Sequence, residues 1–545
     1  MTAESTFIVL FSISTAVAIV VRRSRVPYTV ALVLVGLLLG AFRVVEPPHL
    51  TKELLFTVFL PGLLFEAAFN LNARDFWKNR LAITSLAIPG VVVAIALTGL
   101  LVTPVLHAVG LEQTFTIQYG FVFGALVAAT DPIAVVGLFR TLNAPGRLAT
   151  LIDGESLLND GTAIVLLTLL LSYVAGSLTS FGGLVVQFVT IVGGGALVGA
   201  LVGFVASRIT SHVDDAMIEI TITTIAAYSA FVIGEQLHFS GVIATVAAGM
   251  VCGNYGREIG MSASTRIAVD TFWEYVAFAL NSIIFLLIGF EVRLSALASA
   301  WQQILIAYLA VIAARAGVMV LVTALLRQTS ERIPMAWSAV LTWGGMRGAL
   351  SMVLALGLGV AFPHWQVLVT MTYGVVILSL LLQGLTMPWL LHRIGLTTLG
   401  KGAITYDLAR GHVSIADGGI EEIEQLARSH TAAPGLLDAL RERYRQRQAN
   451  WREQLMALHT RERELATEEA ERTVRHLLHV ERAQITTRFH QGLLRRDAYE
   501  QLLASVDHRL DRLDRGAYSD LLDLVMALPE ERPAPDSGNE NDAPP

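Results

Sequence analysis

Apolar runs separated by short polar loops fill the first 395 residues, and a charged stretch with helical spacing follows them. Thirteen runs lie near 7–21, 26–42, 53–70, 81–106, 115–139, 148–174, 183–206, 216–235, 238–254, 271–291, 299–325, 334–361 and 365–392. At about 1.5 Å per residue, roughly twenty apolar residues cross the hydrocarbon of a bilayer. Several runs are shorter and are expected to be tilted or irregular. The pattern predicts an all-α polytopic membrane protein whose transmembrane domain spans residues 1–395.

Beyond residue 396 the character changes to charged helix, as in Arg441-Glu442-Arg443-Tyr444-Arg445 and the Glu462-to-Glu471 stretch. Apolar residues recur at helical spacing at Leu477, Leu478 and Val480, at Leu493 and Leu494, and at Leu502, Leu503, Val506, Leu510 and Leu513. Helices with one apolar stripe bury it against each other. Residues 396–528 are therefore predicted to form a cytoplasmic helical regulatory domain. Residues 529–545 are rich in Pro, Asp and Asn and are predicted to be disordered.

Loop charges orient the chain. The loops after odd-numbered segments hold 13 Lys or Arg, among them Arg22, Arg23, Arg25, Arg74, Lys78, Arg80 and Arg147, against only Arg43, Lys52 and Arg293 after the even ones. Basic residues collect on the cytoplasmic side. The N-terminus is thus expected outside, the C-terminus inside, and the protein in the cytoplasmic (inner) membrane. A segment missed mid-chain would scramble the alternation, so it also supports thirteen crossings.

Two segments are interrupted. Asp131-Pro132 breaks the fifth, because Pro lacks the amide hydrogen and frees carbonyls that membrane depth tolerates only inside protein or beside water. Trp343-Gly344-Gly345-Met346-Arg347-Gly348-Ala349 weakens the twelfth with three glycines and a buried Arg. They lie seven segments apart, an odd offset, so they run through the membrane in opposite directions. Paired broken helices in opposed halves predict an inverted-repeat secondary transporter with a site near the midplane.

Composition narrows the partners. The chain is 54% hydrophobic and 15% charged, and its net charge of −6 arises in the tail, since residues 1–400 carry 19 basic and 19 acidic side chains. No basic patch is large enough to imply nucleic acid. Cys252 is the single cysteine, which excludes a disulfide within the chain and argues against a thiolate metal site. Met1 to Thr6 carry Glu4 and no Lys or Arg, unlike the start of a secretory signal. Gly395-Leu396-Thr397-Thr398-Leu399-Gly400-Lys401-Gly402 approaches a phosphate loop, but Gly402 replaces the hydroxyl residue and no strand precedes it. No nucleotide and no cofactor is expected, and transport would run on ion gradients.

The candidate chemistry lies in segments 5 and 6. Asp131 sits in Ala128-Ala129-Thr130-Asp131-Pro132, and Asp160 in Gly154-Glu155-Ser156-Leu157-Leu158-Asn159-Asp160-Gly161. A carboxylate at membrane depth costs roughly 2.5–3.5 kcal/mol and marks ion or proton paths. Ser156 and Asp160 share one helical face, Glu155 and Asn159 the neighbouring one, and Arg347 is available to neutralise Glu155. Oxygen ligands of this kind suit a hard monovalent cation; Ca²⁺ more often recruits six to eight oxygens. The blander reading, in which both acids merely fix packing, needs two buried partners for them. Arg315, inside segment 11, reads as a structural salt bridge to an acid on another helix. Glu66 reads equally as a site residue approached from below or as an interfacial acid. Asp153 reads as a capping or funnel residue, and His107, His238 and His364 as interfacial. The Gly36-to-Gly40 and Gly195, Gly199, Gly203 spacings read as close helix packing.

These motifs resemble the monovalent cation:proton antiporter-1 family, which includes bacterial NhaP-type proteins and the animal sodium/hydrogen exchangers. Ala129-Thr130-Asp131-Pro132, Gly154-to-Gly161, Phe285-Leu286-Leu287-Ile288-Gly289 and Gly344-to-Gly348 match in order and spacing over about residues 5–395. The resemblance implies thirteen helices, a homodimer and an elevator-like core domain. It makes Asp160 the main ion- and proton-binding carboxylate, with Asp131, Ser156 and the Thr130 backbone completing a Na⁺ site. It implies that Glu155 and Arg347 hold Asn159, and it raises Glu66 as a ligand.

The expected function is exchange of Na⁺, or of Li⁺ or K⁺, for H⁺, electroneutral at one for one. A K⁺/H⁺ antiporter is the near alternative. From another class, an intramembrane aspartyl protease also places two Asp on neighbouring helices, but it has no use for Asn159 or the Arg347 helix. A gated channel is third and would show unitary currents.

Overall fold

The computed structural model describes residues 3–21, 27–42, 55–142, 145–176, 181–213, 215–259, 261, 263–291, 294–329, 331–396, 401–428, 434–461 and most of 474–514. The disorder expected at 529–545, the Glu462-to-Glu471 stretch, most of the loop after Gly395 and the loop bases Arg22, Arg23, Arg25, Arg43, Lys52 and Arg293 lie outside the described residues. Two units divide the chain, Met1–Thr398 and Leu399–Pro545.

Every regular element among the described residues is helical. In the first unit each of the thirteen apolar segments is occupied by a helix or by a broken one. Seven are long and apolar enough to cross a membrane on length and composition alone, among them Gly146–Val174, Ala216–Gln236 and Trp301–Leu326. The shorter apolar helices include Tyr28–Ala41, Phe56–Asn70, Ile117–Leu126 and Gly241–Gly256. Irregular backbone does enter the shorter segments: π-helical turns at Leu55–Phe59 and Cys252–Gly256 extend the helices Leu60–Asn70 and Gly241–Val251.

Small residues let helix backbones approach where lipid offers no hydrophobic drive to pack. A Cβ on Gly36 would run into the Leu286 carbonyl, and one on Gly40 would lie 3.2 Å from the Phe290 carbonyl, so Tyr28–Ala41 lies directly on Ala263–Glu291. Gly195, Gly199 and Gly203 do the same for Phe181–Thr210 against the Ser240, Ala244 and Ala248 backbone. The remaining buried apolar positions form one large core that runs through the first unit and a smaller one around Phe65, Phe69 and Trp273.

In the second unit, Lys401–Arg428 packs on Pro434–Arg461. His412 stacks on Trp451 with ring centroids 4.3 Å apart, and Tyr444 rests against Gly419. The stripe expected further along buries Leu478, Val506 and Leu513 together with Val474, with Leu510 against them. That core is small.

Candidate ion-binding site

Both interrupted segments are unwound in their middles. Ile117–Leu126 ends before Pro132 and Ile133–Leu142 resumes after it; Met335–Trp343 ends at the glycines and Ala349–Gly357 resumes beyond. The two breaks cross each other, and the Asp131 amide donates to the Met346 carbonyl at 2.8 Å. Gly348 is required at the crossing, because a Cβ there would lie 2.6 Å from both Cβ and Oδ2 of Asp131.

A broken helix leaves carbonyls at its C-terminal stub and amides at its N-terminal one, with partial charges to match. Three of the four ends receive a charged side chain of the appropriate sign, and the turn before the fourth is held by a hydroxyl. Arg347 donates to the carbonyls of Ala128 (2.6 Å) and Ala129 (3.3 Å) after the first stub. Arg315 donates to the Leu341 carbonyl (3.1 Å) at the end of the second. Asp131 Oδ1 accepts from the Ile133 amide (3.0 Å) and so caps the helix that follows it. The Arg347 amide donates to Ser379 Oγ (3.1 Å), which a π-helical turn at Ser379–Gln383 presents.

Segment 6, the Gly146–Val174 helix, is continuous and packs beside the crossing. Ser156 Oγ donates to the Thr130 carbonyl, while Asn159 Nδ2 donates to the Ala128 carbonyl (3.1 Å) and Thr130 Oγ1 (3.2 Å). The expected partnership around Glu155 is different. Glu155 is 2% exposed and forms a two-pronged ion pair with Arg315, not Arg347; the Nη2–Oε2 arm measures 2.8 Å. The reason is geometric. Arg315 meets the carboxylate with its planar fork, whereas Arg347 is drawn to carbonyls the break leaves open. Asn159 is accordingly held by the unwound backbone of segment 5 rather than by Glu155 and Arg347. The acid that the sequence leaves unnamed for Arg315 is Glu155.

The remaining acids share a pocket of about 140 Å³. Asp160, Asp131, Ser156 and the Thr130 segment line it together, with Asp153 earlier on the Gly146–Val174 helix and Glu66 on Leu60–Asn70. Among the described residues no Lys, Arg or His side chain lines it. Glu66 Oε1 accepts from Asn70 Nδ2 (2.8 Å) one turn on. Asn281, on Ala263–Glu291, also borders the pocket; a lone Asn in an apolar run belongs to no motif, so the sequence does not single it out. Among the described residues no cluster of three or more His, Cys, Asp or Glu forms a conventional metal site.

Comparison with known proteins gives one family. The family described as "Sodium/hydrogen exchanger, transmembrane" matches residues 8–393. The Na⁺/H⁺ antiporter ApNhaP of Aphanothece halophytica is 39% identical over 396 residues, covering 72% of this chain and 74% of that protein. The Na⁺/H⁺ antiporter NhaP of Pseudomonas aeruginosa is 36% identical over 350 residues, covering 63% and 81%. Among solved structures, the sodium proton antiporter MjNhaP1 of Methanocaldococcus jannaschii superposes with a TM-score of 0.61 at 19% identity, covering 72% of this chain and 99% of that one. The fold and the matched length separate the chain from intramembrane proteases and place it among transporters: it belongs to the sodium/hydrogen exchanger family.

Proposed function

We propose that this protein exchanges Na⁺ for H⁺ across the cytoplasmic membrane, with Asp160 as the carboxylate that carries either ion in turn. One observation carries the reading: Asp131 and Asp160 line one pocket, beside hydroxyl and carbonyl oxygens, with no cationic side chain among its described lining residues. Such a site prefers a small hard cation to a bare anion pair. Ser156, Asp131 and Thr130 supply the other oxygens, Asn159 and Arg347 hold the backbone that presents them, and Glu155 structures the site through Arg315. Glu66 lines the approach.

Alternating access follows from charge. Loaded with a proton or a monovalent cation, the Asp160 region can cross the low-dielectric zone; empty, it is too costly to move. Loading is thereby coupled in opposite directions without a nucleotide. The same chemistry admits Li⁺ or K⁺, and exchange of K⁺ for H⁺ is the alternative. By analogy with the matched family we assign a homodimer with an elevator-like core, an N-terminus outside, and residues 396–528 as a cytoplasmic regulatory domain.

The test is proteoliposomes with a trapped pH dye, given Na⁺, Li⁺ and K⁺ in turn. Asp160→Asn keeps the shape but not the charge, and it is expected to abolish cation-driven proton flux while the protein stays folded. Normal flux in a monodisperse Asp160→Asn sample overturns the assignment.

A further inference from the structure

A second cavity, of about 540 Å³, shares three helical segments with the ion pocket, displaced toward their opposite ends, and is also lined by Phe181–Thr210 and Ala216–Gln236. The lining changes hands within one turn. Asp160 faces the ion pocket, and Ile164 and Thr168, four and eight residues on, face the second cavity. Leu350 gives way to Leu354 and Leu358 in the same register, and Leu60 gives way to Phe56. Four helical residues rise about 6 Å, so only a layer one turn thick, built on Ile164, Leu354 and Phe56, separates the two spaces.

The second cavity is also lined by Glu235, His238 and Ser240, and no Lys or Arg appears among its described lining residues. Glu235 is exposed, and its Oε1 accepts from the Gly241 amide at 3.1 Å, which orients the carboxylate and leaves its charge in place. The ion pocket lies toward the ends that carry Asp153 and Glu66, and this cavity lies toward the ends that carry Glu235 and His238.

Resting on the antiport reading, we infer that this cavity is a cation vestibule of the face opposite the ion pocket, in which Glu235 concentrates monovalent cations before they reach Asp160. The apolar layer at Ile164 and Leu354 is the seal that the structure keeps shut while the ion pocket is open. A single exposed carboxylate at the mouth of a low-dielectric cavity raises the local cation concentration, an effect that salt weakens.

Two measurements test it. Glu235→Gln keeps the bond to the Gly241 amide and removes only the charge. In vesicles of defined orientation it should raise the KM for Na⁺ about two- to fivefold from the face that bears Glu235. It should leave the KM from the other face and the maximal rate unchanged, and added choline chloride should shrink the difference. Equal effects on both faces, or none, overturn the role of Glu235. Thr168→Cys on a Cys252→Ala background should react with an impermeant thiosulfonate from the Glu235 face alone and then block exchange, with Asp153→Cys reacting from the other. Reaction of Thr168→Cys from the Asp153 face, or none while Asp153→Cys reacts, overturns the vestibule. Loss of the antiport reading would instead show as flux through Asp160→Asn.

Discussion

Glu155 and Asp160 stand on one helix at membrane depth, five residues apart, and the protein treats them oppositely. Glu155 is closed in and clamped by both arms of Arg315. Asp160 faces a pocket whose described lining holds three further acids, Asp131, Asp153 and Glu66, and no base. Five residues turn a helix by about 140°, which is enough to send the two carboxylates to different neighbours. A buried acid with a fixed counter-ion is structure. One without it must borrow a mobile cation or proton, and that need is the transport chemistry.

The largest effect expected from breaking this contrast is the complete loss of exchange in Asp160→Asn. Next comes the clamp itself. Arg315→Met strands Glu155 as an uncompensated buried charge, at a cost of about 3–5 kcal/mol. The variant should express poorly or melt far below the wild type in a detergent thermal-shift assay. Adding Glu155→Gln should recover most of the lost stability. A single Arg315→Met variant as stable as wild type would mean that the clamp does not hold the fold.

A third change acts on the crossing rather than on either acid. Gly348→Ala puts a methyl group 2.6 Å from Asp131 Cβ, closer than packed carbon atoms come. The neighbour it displaces lines the ion pocket, so exchange should slow by about tenfold with a smaller loss of stability. Unchanged kinetics would remove Asp131 from the ion path.

Where the sequence was legible, a residue type could not be hidden. Pro132 and the glycines from 344 to 348 have few roles in an apolar helix other than to break it, and the breaks are there. Asp131 and Asp160 stand out because a carboxylate in hydrocarbon demands an explanation. What was not legible was partnership at long range. Nothing local says that Glu155 pairs with a side chain 160 residues away, and Arg347 is as near in motif terms as Arg315. The choice depends on which guanidinium reaches the carboxylate edge-on, which is fixed only when four helices pack. Asn281 and the second cavity are invisible for the same reason: they exist only as alignments of separate helices.

The tail offers a weaker contrast, since it holds none of the pocket residues and buries few apolar side chains, Ala409, Ala416, Ile423 and Leu437 in one helix pair and a cluster of four further along. A chain ending at residue 398 should retain exchange, with a shifted rate or pH dependence in the dye assay. A stable truncated protein with no exchange would make the tail part of the machine.

The smallest expected effect is that of membrane potential, which should be nil. Around the crossing the formal charges are Glu155, Asp131 and Asp160 against Arg315 and Arg347, so one monovalent ion, Na⁺ or H⁺, brings the group to neutrality. Asn159 stands beside Asp160 where a second acid would add a second titrating site, and its amide is committed to the Ala128 carbonyl and the Thr130 hydroxyl. Each crossing then carries the same charge in both directions, and the potential does no net work on the cycle. Proteoliposomes with balanced Na⁺ and pH, given a K⁺/valinomycin potential, should show no sustained Na⁺ uptake. Uptake that follows the potential and vanishes in Asp160→Asn would mean that Asp131 or Glu66 titrates along with Asp160, and that two protons move for each cation.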